Sequence, residues 1–185
     1  MCKEIQDISE IRFGYYAQPD ESGTVPYLQV RQFTEQGILA QKPDEFIKLD
    51  KKSESHLLQD GDVLLVGKGN RLFAWCYRES FGPYIASSIF FVLRPNREII
   101  YPEYLTTVLN IPASKTVFQQ LGGGSNIFSI RKSELGAFEI LLPSMDKQME
   151  IAAYAALFQK DLALSSEIIS QKQYLYQGII AKLLK

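Results

Sequence analysis

The chain is 185 residues long, 46% apolar and 12% aromatic, with 22% charged residues and a formal net charge of −1. That apolar and aromatic content excludes an intrinsically disordered chain, and 12 Gly with 2 Cys exclude collagenous and disulfide-rich classes, which leaves a soluble globular protein able to bury a full core. A charge so near zero also disfavours nucleic-acid binding through bulk positive charge, so any polyanion site has to be local.

In chain order, residues 1–50 carry 5 basic and 9 acidic side chains and residues 51–100 carry 7 and 5, so the middle of the chain is its mildly basic part. VPYLQVRQF (25–33) has strand composition, and GDVLLVGKGN (61–70) predicts a buried strand entered through Asp60-Gly61-Asp62 and left through a glycine turn. RLFAWCYRE (71–79) and YIASSIFFVLRP (84–95) follow, rich in aromatic and β-branched residues and punctuated by Gly82-Pro83 and Pro95-Asn96. PEYLTTVLN (102–110) starts with a proline suited to the first helical position and sets Leu105, Val108 and Leu109 on one face. PASKTVFQQL (112–121) repeats the device, glycines 122 to 124 stop it, and FEILLP (138–143) is a last strand.

From Ser144, a suitable N-cap, through Lys185 there is one glycine, Gly178, and no proline. The segment predicts a single helix of roughly 40 residues, about 60 Å long. Leu162, Ile169, Tyr176 and Leu183 recur every seven residues, and Phe158, Ile168, Leu175, Ile179 and Ile180 widen the stripe. Such a helix outruns the domain before it, so its distal half needs a partner, most simply another long helix in a coiled coil or bundle. A break near Gly178, or a hairpin folded back on the domain, is the alternative. No uninterrupted apolar stretch of about 18 residues exists, and residues 1–25 carry acids where a signal peptide needs a basic and then an apolar run. A cytoplasmic protein with no membrane contact is expected.

Enzymatic chemistry finds no foothold. GKGNRL (67–72) holds two of the three glycines of a dinucleotide fingerprint and leads into a strand-like run, so it reads as a β-turn. Gly122-Gly123-Gly124-Ser125-Asn126 follows a helix and lacks the lysine ending of a P-loop. G-x-S-x-G, H-E-x-x-H, EF-hand and Asn/Asp-Pro-Pro-Tyr/Phe motifs are absent, and His56 is the only histidine, so the chain has no Cys/His cluster for zinc and no second histidine for a triad variant. Cys76, inside LFAWCY, reads as a structural thiol, and the acidic pairs Asp60/Asp62 and Asp44/Glu45 read as solvated turn carboxylates. No catalytic residue, cofactor or metal is expected.

Binding remains. Lys68, Asn70 and Arg71 share one glycine-bounded turn; Ser125 and Asn126 sit in the glycine-rich turn, Arg131 and Lys132 follow it, and Lys115 lies on the short helix before it. Arg and Lys reach phosphates or guanine edges and Asn reads adenine, so these residues form a candidate groove-facing set. On composition alone ordinary solvated loop residues are the weightier reading, and composition does not settle the matter.

Taken in order, ISEIRFG (8–14), TVPYLQVRQFTEQGIL (24–39), HLLQDGDVLLVGKGN (56–70), ASSIFFVLRP (86–95), PEYLTTVLN (102–110) and GGGSNIFSIRKSELGAFEILLPSMDKQMEIA (122–152) precede the long helix. The succession resembles a target-recognition domain with its following conserved helix from the specificity (S) subunit of type I restriction-modification systems. In that family G-D-[IV]-L opens a core strand, and a strand ending in leucine-proline, a short polar turn and a glutamine just before isoleucine start the helix, as in LLPSMDKQMEI.

The resemblance implies an α+β (mixed α/β) target-recognition domain over residues 1–143, then a helix over 144–185 that dimerises and sets spacing. It implies no catalysis, recognition of double-stranded DNA, and docking of methyltransferase (M) and restriction (R) subunits that carry the chemistry. Family members usually carry two such domains, whereas this chain has room for one. A half subunit is therefore implied, joined to a second copy or another half subunit through Phe158, Leu162, Ile169, Leu175, Tyr176, Ile179 and Leu183, and reading half of a bipartite site. A protein-interaction adaptor with no nucleic-acid role is the alternative, favoured by a surface without a basic strip around Lys68, Arg71, Arg131 and Lys132.

Overall fold

Val63–Val66 is a run of four apolar residues with no polar face, so it folds stably only if both sides are covered. The computed structural model, which describes residues 1–121 and 128–184, places it at the centre of a mixed α+β fold. In chain order the elements are β1 (Cys2–Glu4), α1 (Ile5–Ile8), β2 (Ser9–Phe13), β3 (Val25–Leu28), β4 (Phe46–Ile47), α2 (Lys51–Glu54), β5 (Val63–Val66) and β6 (Lys68–Gly69). They continue as β7 (Ala74–Cys76), β8 (Ile85–Ala86), β9 (Phe90–Pro95), α3 (Pro102–Asn110), α4 (Pro112–Leu121), β10 (Phe128–Ser129), α5 (Lys132–Gly136), β11 (Glu139–Leu141) and α6 (Met145–Leu183).

The main sheet has the order β2-β9-β5-β7 and is antiparallel throughout. A second sheet, β4-β3-β8, contains the parallel pair β3/β8, and two short ladders join β1 to β11 and β6 to β10. Leu64, Leu65, Phe73, Phe90, Leu93 and Leu105 are fully buried. Phe33 packs its ring 5.0 Å from Phe73, 5.3 Å from Trp75 and 5.9 Å from Phe90, tilted or edge-on as aromatic quadrupoles favour.

Gly14 and Gly61 are among the glycines fixed by geometry. A Cβ on Gly14 would lie 2.1 Å from the Ser87 carbonyl oxygen, and Gly61 has φ +83° with the Arg97 guanidinium at 2.5 Å from its Cβ position.

The structure shortens several expected strands. VPYLQVRQF is a strand only through Leu28, because the Gln29 N–H donates to the Gln32 side chain (2.7 Å) and a 3-10 turn forms at Val30–Gln32. RLFAWCYRE contributes only Ala74–Cys76. Asp62 is not the solvated carboxylate expected of a turn. Its side chain is 1% exposed and accepts from Arg94 Nε (2.9 Å), Arg94 Nη2 (2.8 Å) and the Gln59 N–H (2.8 Å). Asp60 beside it is half-exposed, yet it too is occupied, accepting from Arg78 (3.2 Å), Arg97 (3.1 Å) and the Glu79 N–H (3.1 Å).

β1 lies along β11, with Cys2 opposite Leu141 and Glu4 opposite Glu139, and the Leu142 N–H donates to the Met1 carbonyl (2.8 Å). By internal contacts the chain divides into two compact units, Met1–Met149 and Glu150–Lys185. α6 is one continuous helix of 39 residues that runs through Gly178 unbroken, so neither a break there nor a hairpin forms. Gln148 fixes its first turns: 1% exposed, it accepts from the Tyr101 N–H (2.9 Å) and donates to the Ile99 and Pro143 carbonyls (both 3.1 Å). Among the described residues no helix is long and apolar enough to cross a membrane.

Candidate nucleic-acid interface

β5 ends at Gly67, where the chain must turn tightly past Phe91, whose ring would lie 2.5 Å from a Cβ at that position. The Gly67 N–H donates to the Ile89 carbonyl and its own carbonyl accepts from the Ile130 N–H, both at 2.8 Å. Lys68 and Gly69 then form β6 against β10, Lys68 opposite Ser129 and Gly69 opposite Phe128. Gly69 sits at φ +131°, a conformation that side chains rarely adopt.

The consequence is a juxtaposition that the sequence did not announce. Two turns far apart in the chain are hydrogen-bonded together, so exposed Lys68, with exposed Asn70 just beyond β6, shares a ladder with the segment that leads into exposed Arg131 and Lys132. Arg131 is the cap residue just before α5, its N–H donating to the Glu134 carboxylate (2.7 Å). The Arg12 hydrogen bond holds the Glu10 carboxyl below its ordinary value, with Lys132 the smallest of the charges that add to it.

Arg71 leaves the exposed set. Its guanidinium donates to the Phe33 carbonyl (3.0 Å) and faces Glu35 at 3.7 Å, which ties the turn to the aromatic cluster. Lys115 is half-buried on α4, and burial lowers the pKa of its ammonium. Ser125 and Asn126 lie outside the described residues.

Three polar devices hold the scaffold and were not read from the sequence as such. The first is the Asp62–Arg94 pair, and the second the Gln148 network. The third is Asn110, whose side-chain amide donates to the Ala74 carbonyl (2.8 Å) and accepts from the Ala74 N–H (3.0 Å), standing in for a strand along the edge of β7. The G-D and Q-x-E-I fragments were legible as patterns; their buried partners were not.

Burial pushes the Cys76 thiol up to about 11, as befits a packed thiol. His56 stacks 4.9 Å from Tyr15, and burial, then Arg12 and Lys52, hold its pKa below the usual value. Among the described residues no group of three His, Cys, Asp or Glu could hold a metal ion. One open groove of about 600 Å³ runs between α4 and α5; its apolar floor includes Val117, Leu121 and Phe138, and its rim carries Glu134 and Glu139, a poor match for an anion.

In the second unit, the helix residues expected to pair are all exposed: Phe158 51%, Leu162 47%, Ile169 57%, Leu175 66%, Tyr176 66%, Ile179 48% and Leu183 77%. So many large apolar side chains in water on one helix are unusual unless a partner covers them.

Comparison with known proteins gives one family. The sequence model described as "Type I restriction modification DNA specificity domain" matches residues 1–171. Among solved structures, the S subunit of a type I restriction-modification system from M. genitalium superposes with TM-score 0.62 at 14% identity, covering 88% of this chain and 40% of that one. The HsdS subunit from Thermoanaerobacter tengcongensis gives TM-score 0.60 at 19% identity, covering 89% of this chain and 38% of that one. A structure described as "Structural basis underlying complex assembly and conformational transition of the type I R-M system" gives TM-score 0.57 at 19% identity, covering 89% and 39%. This chain thus spans about two fifths of the length of these structures. No curated protein matches it.

Proposed function

The chain belongs to the type I restriction-modification DNA specificity domain family, and from that premise we propose that it reads one half of a bipartite double-stranded DNA site. In this reading residues 1–143 present the recognition loops, and residues 144–185 set the spacing to a second recognition domain and dock methyltransferase subunits, with restriction subunits joining for cleavage. The chain itself carries out no catalysis and acts in the cytoplasm.

The observation that supports the reading best is the β6/β10 ladder. It holds Lys68 and Asn70 beside the turn that carries Arg131 and Lys132, so one rigid edge offers cations for phosphates and an amide for a base edge. Lys115 belongs to the same proposed surface with less of its charge in water, Arg71 supports it from behind, and Ser125 and Asn126 are proposed DNA contacts on sequence alone. The seven apolar residues of α6 join the chain to a second copy or to another half subunit. Two domains related by a two-fold axis then face an inverted repeat with a fixed spacer.

With a net charge of −1 the isolated chain makes few phosphate contacts, so its own affinity is low and its salt slope shallow. The test is a fluorescence-anisotropy titration of randomised duplexes with the methyltransferase subunit present. Selection of one bipartite sequence is expected; equal binding of all duplexes would overturn the reading. Nanomolar binding of random DNA by this chain alone at physiological salt would contradict the proposed dependence on partners.

A further inference from the structure

Two large apolar side chains stand in water at one end of the main sheet. Phe13, 53% exposed, closes β2, and Ile89, 41% exposed, lies in the turn that leads into β9. The sheet itself fixes both. Phe13 is opposite Phe91 in the β2/β9 ladder, and the two rings lie 5.0 Å apart, tilted by 37°. Phe91 is buried, and its ring covers Gly67, where a Cβ would meet it at 2.5 Å. The turn of Ile89 is closed by the Phe90 N–H donating to the Ser87 carbonyl (3.0 Å), and the Ile89 carbonyl accepts from the Gly67 N–H (2.8 Å).

Gly67 is thus a junction. Lys68 follows it directly, and its own carbonyl accepts from the N–H of Ile130, the residue before Arg131 (2.8 Å). Through this one glycine the apolar pair and the cationic edge become neighbours.

We propose that Phe13 and Ile89 select thymine, by packing on the 5-methyl group of a base in the major groove while Lys68 and Arg131 hold the adjoining phosphates. This rests on the reading of that edge as DNA-facing and deepens it by naming a base and the two side chains that recognise it.

Charge, chemistry and shape agree on this occupant. Exposed Lys68, Arg131 and Lys132 beside the patch call for a polyanion that also offers an apolar point. In unmodified DNA the one methyl group on a base edge is that of thymine, and it lies in the major groove. Shape argues against a wedge driven between base pairs, which needs a projecting side chain. Phe13 belongs to a paired strand and has its ring against Phe91, so it presents a fixed surface on which a methyl group can rest. The surface is also held before binding. A Cβ on Gly14 would lie 2.1 Å from the Ser87 carbonyl oxygen, so the chain after Phe13 passes hard against the Ile89 turn. The Gly14 N–H donates to the Phe90 carbonyl (2.9 Å) and the Tyr15 N–H to the Ala86 carbonyl (2.8 Å). Little ordering of these two residues is left to oppose the contact.

The test uses the full chain assembled with its methyltransferase subunit, and the duplex selected in the anisotropy titration. Thymines of the half-site are replaced one at a time by deoxyuridine, which removes the methyl group and nothing else. At one thymine, or two adjacent ones, binding weakens about fourfold, the worth of one buried methyl group. In Phe13→Ser and in Ile89→Ser that ratio of thymine to uracil binding falls toward one. Lys68→Ala weakens both duplexes alike and leaves the ratio at about fourfold. Thermal melts check that the variants fold; Ile89 sits in an exposed turn, so its variant decides the matter if Phe13→Ser does not fold.

A ratio near one at every thymine in the parent, a selected half-site without thymine, or a ratio unchanged in the variants overturns the proposal. So does loss of methyltransferase binding in the variants with the ratio intact, which makes the patch a protein contact. Sequence-selective binding persists in each of these cases, whereas equal binding of all randomised duplexes overturns the reading of the edge itself and this inference with it.

Discussion

Replacing Asp62 with alanine removes one side of a buried ion pair. The carboxylate is 1% exposed and accepts three hydrogen bonds, two of them from Arg94, whose own side chain is 24% exposed. Breaking a buried pair from one side costs about 3–5 kcal/mol, because the remaining charge stays desolvated. Arg94 keeps some contact with water, which places the expected loss near the lower end, at about 3 kcal/mol. For a chain of this length the melting temperature then falls by about 6–12 °C. Urea unfolding followed by fluorescence reads it directly, since Trp75 is the only tryptophan and lies opposite Leu64 on the strand beside Asp62. Replacing both partners, Asp62→Leu with Arg94→Met, recovers much of the loss because no charge is left unpaired. A loss below about 1 kcal/mol for Asp62→Ala, or a double variant no more stable than the single one, would refute the account of Asp62 as the half of a buried pair.

Three further outcomes are expected. Lys68→Ala combined with Arg131→Ala lowers the magnitude of the salt slope of DNA binding by about 1.8 for each copy of this chain in the assembled complex, at about 0.9 per phosphate contact, in titrations from low to moderate salt. Gln148→Leu keeps the volume but strips the hydrogen bonds to Tyr101, Ile99 and Pro143, and costs about 2 kcal/mol in chemical denaturation. His56 is held below its usual pKa by burial, then by Arg12 and Lys52, so the unfolded chain binds the proton more readily than the folded one. Its contribution is complete above the unfolded value of about 6.5 and is lost as pH falls through that value toward the folded one, so thermal melts of His56→Gln lose less stability over that window than those of the parent.

Local pattern was legible where it was long or had a sharp boundary. Pro102 and Pro112 marked two helix starts, the proline-free stretch after Pro143 marked the long helix, and the apolar run at 63–66 marked the central strand. What escaped were pairings between segments distant in sequence. β6 and β10 are two residues each, too short to show a period, and only their hydrogen bonds reveal that the Lys68 and Arg131 turns belong together. Asp62 was misread because a carboxylate in a turn is usually solvated; its partner Arg94 is at the far end of another strand, where sequence offers no hint of contact. Arg71 was grouped with the exposed cations for a similar reason, since the Phe33 carbonyl that holds it is distant in the chain. The exposed apolar stripe of α6 was readable, because a helix unrolls into a fixed surface without further information.

The ladder between Cys2–Glu4 and Glu139–Leu141 has an evolutionary corollary. It brings the strand that leads into the recognition fold alongside the strand that leads out of it, just ahead of the helix. Everything that gives the fold its individuality is strung between these two neighbouring strands. Exchange of that stretch for another of different length and different loops, flanked by the same pair of strands, would leave the start of the helix in place and, on the proposed function, the reach to a second domain. New specificity then requires splicing at two adjacent points and no redesign of the spacer.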